Sequence, residues 1–547
     1  MPSTLLLSLL WLPFAGAALV APSSGRVGLS RGVQRLQTWL YPSLLCGQTL
    51  LTIIAIGARA PQWRFSLGSP LLRTGIAVAF ELDGLAAPFL LLLSVPLFLM
   101  SLAGAHLTTR RLRRSLTLLL LAVGVAAITA QNLLTACLAW GVADLVLIGL
   151  NLLGTPVEGF PHVVRQLGAN LLSTALLAAA VVLSAESGGS LEAPGQVMPL
   201  ALSLAFLATA LRIGVYPAPG SARHRWQATL FALASGGVLW LRLLIVTPPA
   251  MWPAGVASSL GGWMLLATAA IAARAPSLRL AFPYLALHEG TVALMASLCD
   301  STAGPAIGLI TWVSLGICLT LVHLLPTLWP AGQLPRWGRW VWAAALAPLA
   351  GAPLTLGFLS HYALLKICWA QGNLRAFWLA AFSFALAAIP LWRHLLSLSP
   401  SRIARPRFAI AWASAGGAVA LEIVTVAAAI HPPLLLGLKS VPINMPTLFS
   451  FLSGSLPDTW AVILLASLAP LALGFYGARI EQRLKPITVG ALDTVAAALE
   501  MHWLYEIIEL LLQAARQAVD AISLTIDRVL YLGWVITWAM VFILQIV

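Results

Sequence analysis

The chain has 547 residues, of which 60% are hydrophobic and only 9% are charged, and its formal net charge is +14. A water-soluble protein of this length needs far more polar surface, so the composition excludes a soluble enzyme and a soluble nucleic-acid-binding protein. The basic residues cluster in short stretches between apolar runs, so we expect no nucleic acid partner. Apolar runs of about 18 or more residues predict helices that span a lipid bilayer.

About fourteen to sixteen such runs occur, which predicts an all-α polytopic membrane protein. Membrane-spanning strands are excluded because they need alternating segments of only about ten residues. No basic residue precedes the first run, so we predict a retained helix rather than a secretory signal peptide. In chain order and within a few residues, the spans are predicted at about 4–22, 37–57, 84–105, 115–131, 132–153, 166–184, 197–217, 227–247, 256–273, 280–298, 305–325, 340–366, 376–398, 408–430, 459–478 and 530–547.

Two stretches between the spans are long enough to form structure of their own. Residues 58–83 predict a short β-hairpin outside the membrane. Residues 486–529 hold six of the 17 acidic residues and place apolar residues at helical spacing, which predicts an amphipathic surface helix about 60 Å long. Two interpretations of this helix stay open: a local cytoplasmic cap, or a strut that reaches a neighbouring subunit.

Basic residues concentrate in the loops that follow odd-numbered predicted spans, although Arg59, Arg64 and Arg73 precede span 3. The positive-inside rule then places the odd-numbered loops in the cytoplasm and the N-terminus outside. The clusters are Arg26, Arg31 and Arg35; Arg110, Arg111, Arg113 and Arg114; Arg223 and Arg225; Arg402, Arg405 and Arg407; and Arg479, Arg483 and Lys485.

The sequence predicts no metal site and no cofactor site in this chain. Its five cysteines lie far apart without a C-x-x-C pair, and no glycine-rich phosphate loop follows a strand. Gly236 and Gly237 lie inside a span, where small residues serve close helix packing.

Helix breakers interrupt two predicted spans, at Pro217 in span 7 and at Pro353 in span 12. Broken helices at corresponding places in two halves of a transporter indicate a site near the membrane midplane. The two broken spans, 7 and 12, are five spans apart, which predicts two inverted five-helix repeats, spans 4–8 and 9–13. We divide the chain into five regions. They are N-terminal helices at 1–131, a first repeat region at 132–250, a second repeat region at 251–400, additional helices at 401–485, and a surface helix with a final span at 486–547.

Ionisable residues inside the spans are candidate sites because charges within a bilayer are costly. Asp144 in span 5 is a candidate proton acceptor, or else a hydrogen-bonded packing residue. Arg212 in span 7 is a candidate partner cation for Asp144, or else a side chain that reaches the cytoplasmic interface. Arginine does not release its proton, so it can only modulate a carboxylate.

The remaining candidates lie in later spans. His288 and Glu289 in span 10 suit a proton relay, because histidine titrates near neutral pH, or they simply satisfy one another. His361 follows the break in span 12 as a candidate distal relay, and Lys366 follows it as a further candidate or an interfacial side chain. Glu422 in span 14 is a packing contact or a coupling site to a neighbouring subunit.

These residues resemble the antiporter-like subunits of the membrane arm of respiratory complex I, which are shared with Mrp-type cation/proton antiporters and membrane-bound hydrogenases. The resemblance covers most of the chain, and the stretch around Pro353 is its most specific part. The matching stretches are Glu81-Leu82-Asp83-Gly84-Leu85, Trp140 with its following Leu-Ile-Gly, Arg212 with Pro217, Arg279-Leu280-Ala281-Phe282 leading to His288, and Gly351-Ala352-Pro353 with Gly357-Phe358-Leu359-Ser360-His361.

The resemblance implies a proton-translocating subunit in a bacterial plasma membrane, coupled to electron transfer in partner membrane subunits that hold the quinone and redox cofactors. The chain departs from the family at its central charges. Gly141 stands where the family has glutamate, Arg212 and His361 replace lysines, and Ser235 lies near an expected lysine. Two alternatives therefore stay open: a Mrp-type antiporter or inorganic-carbon-uptake membrane subunit, and a structural subunit that has lost pumping.

Overall fold

The computed structural model describes residues 2–20, 31–57, 63–67, 78–103, 111–153, 160–185, 199–213, 226–247, 254–300, 303–329, 337–398, 411–431 and 460–484, together with residues 510, 513, 514 and 517. Sixteen helices and one two-stranded hairpin lie within these ranges. The first eight helices are α1 Pro2–Val20, α2 Arg31–Gly57, α3 Ala86–Leu102, α4 Arg111–Ile128, α5 Leu133–Leu152, α6 Phe160–Ala185, α7 Pro199–Ile213 and α8 Trp226–Val246. The others are α9 Ala254–Arg274, α10 Leu278–Cys299, α11 Gly304–Leu328, α12 Gly338–Leu346, α13 Leu356–Ala370, α14 Leu374–Ser397, α15 Ala411–Ile430 and α16 Trp460–Leu484.

The helices confirm the prediction of an all-α polytopic membrane protein. Stretches of α2, α5, α8, α11, α14 and α16 are long and apolar enough to cross a bilayer. Shorter apolar helical stretches lie in α1, α3, α6, α7, α13 and α15. The first predicted span, α1, packs against α4, where the hydroxyl of Ser115 donates to the carbonyl of Ala17 at 2.7 Å.

Helices α8 and α11 lie in the middle of the bundle. Nearly all residues of α11 are buried by protein, and most of α8 is buried as well. Both helices are apolar on every side, which is typical of a helix surrounded by other helices. Helices α3, α4 and α7 pack against α8, and helices α3, α10, α12, α13 and α15 pack against α11. Polar groups on the faces of α7 and α10 that turn toward α8 and α11 are therefore buried by protein, as Arg212 and Glu289 are.

The predicted hairpin is present. Strand β1 Trp63–Leu67 pairs antiparallel with β2 Val78–Leu82. The turn between α4 and α5 continues the ladder, since the amide of Glu81 donates to Thr129 at 2.6 Å and the amide of Gln131 donates to Ala79 at 3.0 Å. Backbone hydrogen bonds thus attach the hairpin to the helix bundle.

An ion pair that the sequence did not reveal fixes the hairpin to the central helix. Arg242 on α8 lies 3.0 Å from Asp83, directly after β2, and also donates to the carbonyl of Ala130. The other oxygen of Asp83 accepts from the amide of Ala86 at 2.7 Å, in the first turn of α3. A carboxylate at a helix N-terminus satisfies an otherwise unpaired amide. One acid therefore joins the hairpin, α3 and α8.

The break in predicted span 12 is confirmed, because α12 ends at Leu346 and α13 begins at Leu356. Gly351 in the connection has φ +64°, a left-handed conformation that glycine adopts without strain. A Cβ on Gly357 would lie 1.7 Å from the carbonyl oxygen of Pro348, so the first turn of α13 tolerates only glycine there. Thr355 starts α13 by accepting the amide of Phe358 at 3.2 Å.

Three predictions lie outside the described residues. They are the break at Pro217 in span 7, most of the surface helix at 486–529, and the final span at 530–547. Residues 1–486 form one compact unit, which contains the bundle, and residues 487–547 form a second. In the second unit, the described residues 510, 513, 514 and 517 are helical and exposed.

Candidate functional site

A buried ion pair joins α5 to α7. The carboxylate of Asp144 lies 2.8 Å from the guanidinium of Arg212, and these side chains are 1% and 0% exposed. Arg212 thus contacts Asp144 rather than reaching an interface. Burial removes most of the hydration of both charges, so each depends on the other and on further hydrogen bonds to offset that cost. We refer to this pair and its neighbours as the α5–α7 cluster.

Helix α6 completes the polar contacts of the α5–α7 cluster. The hydroxyl of Thr174 donates to the second oxygen of Asp144 at 2.6 Å, and Arg212 donates to the carbonyl of Asn170 at 3.3 Å. Residues four apart lie on the same face of a helix, so Asn170 and Thr174 together face the ion pair. Sequence reasoning missed both; the signal was a pair of polar residues at helical spacing inside an apolar run.

Aromatic rings enclose the guanidinium. It lies 4.8 Å from the ring of Trp140 and 5.6 Å from the ring of Phe231. Trp140 is four residues before Asp144, so the two share one face of α5. The acid therefore sits one turn beyond the position that the resemblance implies, yet still faces the basic residue of α7.

Several polar atoms of the α5–α7 cluster have no hydrogen-bond partner within the described part of the chain. They are Nε and Nη2 of Arg212, the indole nitrogen of Trp140 and the side-chain oxygen of Asn170. Buried polar groups are almost always bonded to protein or to ordered water. This concentration of unpaired donors and acceptors makes the cluster a site suited to binding water beside a carboxylate.

A second buried cluster joins α10, α13 and α14. The carboxylate of Glu289 lies 3.0 Å from Nε2 of His361 and 3.5 Å from Nδ1 of His288. The other ring nitrogen of His288 lies 3.1 Å from the hydroxyl of Ser383. All four residues are buried. One carboxylate between two imidazoles can exchange a proton with either, so this α10–α13 cluster has the composition of a proton relay.

The helix break fixes the orientation of His361. A Cβ on Gly351 would lie 2.4 Å from Nδ1 of His361, so the broken segment runs against the imidazole ring. On its other side the ring stacks on Phe384, with centroids 3.9 Å apart and planes 8° from parallel. Neither Ser383 nor Phe384 was predicted, because nothing local marks them within an apolar helix.

The two clusters repeat one arrangement. In the first, an acid on α5 pairs with a base on α7; in the second, an acid on α10 pairs with a base on α13, the second part of predicted span 12. The two acids lie in predicted spans 5 and 10 and the two bases in predicted spans 7 and 12, so corresponding residues are five spans apart. This correspondence is the relation that two five-helix repeats predict.

Lys366 and Glu422 lie on α13 and α15. Both side chains are partly exposed. The roles assigned to both residues stay predictions.

Among the described residues, no hydrogen bond or ion pair joins the α5–α7 cluster directly to the α10–α13 cluster. The described side chains also contain no group of three or more His, Cys, Asp or Glu arranged to hold a metal ion. Each cluster pairs a carboxylate with a basic side chain, Asp144 with Arg212 and Glu289 with His361.

Chains of solved structures share this fold, among them one chain of an Mrp complex and one of a sulfane sulfur reductase. A chain of the Mrp complex from Dietzia sp. DQ12-45-1b superposes with a TM-score of 0.70 at 17% identity, over 98% of the present chain and 62% of its own length. A chain of the membrane-bound sulfane sulfur reductase, an archaeal respiratory membrane complex, superposes with a TM-score of 0.65 at 15% identity, over 98% of each chain. The present chain thus spans less than two thirds of the Mrp chain.

No protein-family model and no curated protein matches the sequence. The structural likeness shows that the chain has the fold of membrane subunits in these complexes, which confirms the fold that the resemblance implied. It is an integral, multi-pass membrane protein.

Proposed function

We propose that the protein is an antiporter-like, proton-translocating subunit of a multi-subunit membrane complex. The observation that carries this proposal is the pair of clusters: Asp144 with Arg212, and Glu289 with His361, each buried within the helix bundle. Ionisable groups at such depth are costly and are retained where they move ions or protons. A purely packing role does not need a carboxylate in both repeats.

In the proposed mechanism each carboxylate binds and releases a proton as its partner changes. Arg212 keeps its proton, so it acts on Asp144 through its charge and through the strength of their contact. Glu289 lies between two imidazoles, and a proton on His288 can leave through Glu289 to His361. Coupling then consists of a conformational or hydration change that alters proton affinity at one cluster and thereby at the next.

For the host complex we propose a complex I-type assembly, in which partner subunits carry the quinone and redox cofactors. The likeness to a chain of a respiratory membrane complex supports this choice, since that chain and the present one match over almost their whole lengths. Within that assembly we place the protein in a bacterial plasma membrane, with its N-terminus outside.

A second candidate is a Mrp-type cation/proton antiporter module, which the likeness to a chain of the Mrp complex favours. The two candidates differ in what drives the protons. A complex I-type subunit moves protons only while electrons flow, whereas an antiporter moves them when a cation gradient is imposed.

The test uses the intact complex purified from its native membrane and reconstituted into vesicles with a pH-sensitive dye. Proton uptake is measured first with electron donor and quinone, then with an imposed sodium or potassium gradient. We expect Asp144→Asn and His361→Ala to abolish uptake while electron transfer continues. His323→Ala is the matched control, because His323 is a histidine of α11 outside both clusters whose ring nitrogen lies 2.9 Å from the carbonyl oxygen of Leu319.

Uptake with electron donor alone supports the complex I-type role, and uptake driven by the cation gradient supports the antiporter role. Normal uptake in both Asp144→Asn and His361→Ala contradicts the assigned sites. No uptake by the unmodified complex under either condition makes the protein a structural subunit.

A further inference from the structure

One buried polar group on α11 lies between α8 and α10. Trp312 on α11 is completely buried, and its indole nitrogen has no hydrogen-bond partner among the described residues. An indole N–H is a donor only, and it is usually bonded when buried. By contrast, the indole of Trp240 on α8 donates to the hydroxyl of Ser297 at 2.9 Å. The indole nitrogens of Trp140 and Trp329 are unpaired as well, so what distinguishes Trp312 is its position between α8 and α10.

Two glycines on different helices contact opposite edges of the Trp312 ring. A Cβ on Gly237 of α8 would lie 3.4 Å from Cγ, at the pyrrole edge, and 2.9 Å from the ring of Phe89. A Cβ on Gly290 of α10 would lie 3.6 Å from Cζ3, at the benzo edge. The indole thus spans the space from α8 to α10 and is held there by backbone on both sides.

The helices on either side of Trp312 each approach one cluster. Gly236 precedes Gly237 on α8, and a Cβ there would lie 3.6 Å from Cβ of Arg212 in the α5–α7 cluster. Glu289 precedes Gly290 on α10 and is the central carboxylate of the α10–α13 cluster. Trp312 therefore lies between the helix that contacts Arg212 and the helix that carries Glu289.

We propose that Trp312 is a positioning residue that connects the two clusters by holding water between them. This inference rests on the proposed proton-translocating function. Indole does not titrate, so Trp312 carries no proton itself. The N–H of Trp312 donates a hydrogen bond to the oxygen of a water molecule. The two protons of that water then point away from the indole.

The test removes the N–H donor in two ways, of which the second keeps the shape of the ring system. Trp312→Phe removes the donor, and incorporation of benzothienylalanine at position 312, in which sulfur replaces the indole N–H, removes it with the shape preserved. The matched control is Trp329→Phe, because the indole of Trp329, directly after α11, is also buried and unpaired but packs on Trp337. Proton uptake, electron transfer and the melting temperature are measured on the reconstituted complex.

We expect uptake in both position-312 variants to fall about tenfold, the effect of losing one hydrogen bond. The melting temperature of the benzothienylalanine variant should match that of the unmodified complex, and Trp329→Phe should retain full uptake. Full uptake in the benzothienylalanine variant overturns the role of Trp312 and leaves the proposed function standing. An unmodified complex without uptake overturns both, and equal losses in Trp329→Phe reduce Trp312 to a packing residue.

Discussion

The ion pair between Asp144 and Arg212 gives the sharpest prediction about stability. We consider Arg212→Met, which keeps the length of the side-chain stem but removes the guanidinium. The carboxylate would then keep only the Thr174 hydroxyl at 2.6 Å, inside a cluster where the side chains of the pair are at most 1% exposed. A buried charge left without its partner is strongly destabilising.

The magnitude follows from distance and burial. At a separation of about 4 Å between charge centres and an effective dielectric constant near 20, the attraction is about 4 kcal/mol. Removing one member of a buried pair costs about 3–5 kcal/mol, because the remaining charge is not solvated. Trp140 and Phe231 lose their contact with the cation as well, which contributes about 1 kcal/mol. We therefore expect Arg212→Met to cost about 3–5 kcal/mol.

The double variant Asp144→Leu with Arg212→Met distinguishes the cost of an unpaired buried charge from the cost of lost packing around the pair. An apolar pair of similar volume removes both charges, so it should cost at least about 2 kcal/mol less than Arg212→Met alone. Unfolding is followed by helical circular dichroism in mixed micelles titrated with SDS. Equal stability of Arg212→Met and the unmodified protein refutes the reasoning, as does a double variant less stable than Arg212→Met.

Two further predictions concern the helix break and the hairpin. Gly351→Ala places a methyl group 2.4 Å from the ring nitrogen of His361 and forces a residue with Cβ to φ +64°, so we expect lost proton uptake and about 1 kcal/mol lower stability in the same micelle titration. Gly372→Ala, at φ +69° with open space around its Cβ, should share the strain but retain uptake. Arg242→Met leaves Asp83 without its cation and should cost about 1–3 kcal/mol.

The outcomes that would contradict these predictions are distinct. Equal uptake in the Gly351 and Gly372 variants would show that the broken segment does not position His361. An Arg242→Met variant as stable as the unmodified protein would show that its pair with Asp83, of which the acid is 19% exposed, is already screened by water.

Much of the fold was determined by the sequence because its signals are local. The length of an apolar run gives a span, and the alternation in residues 78–82 gives a strand. The proline and glycines between Leu346 and Leu356 give a break in a helix. The ionisable residues of both clusters were predicted for the same reason, since a charge within an apolar run is visible without any knowledge of its neighbours.

Only the tertiary structure decided which of these groups meet. Glu289 and His361 are 72 residues apart, and Asp83 and Arg242 are 159 apart. Contact across such separations depends on how each helix is rotated about its axis. The helices at the centre of the bundle are apolar on every side, so their sequence does not mark the face that turns inward. For the same reason, the sequence of α11 did not indicate that Trp312 lies between Gly237 and Gly290, and only the packing of the helices showed it.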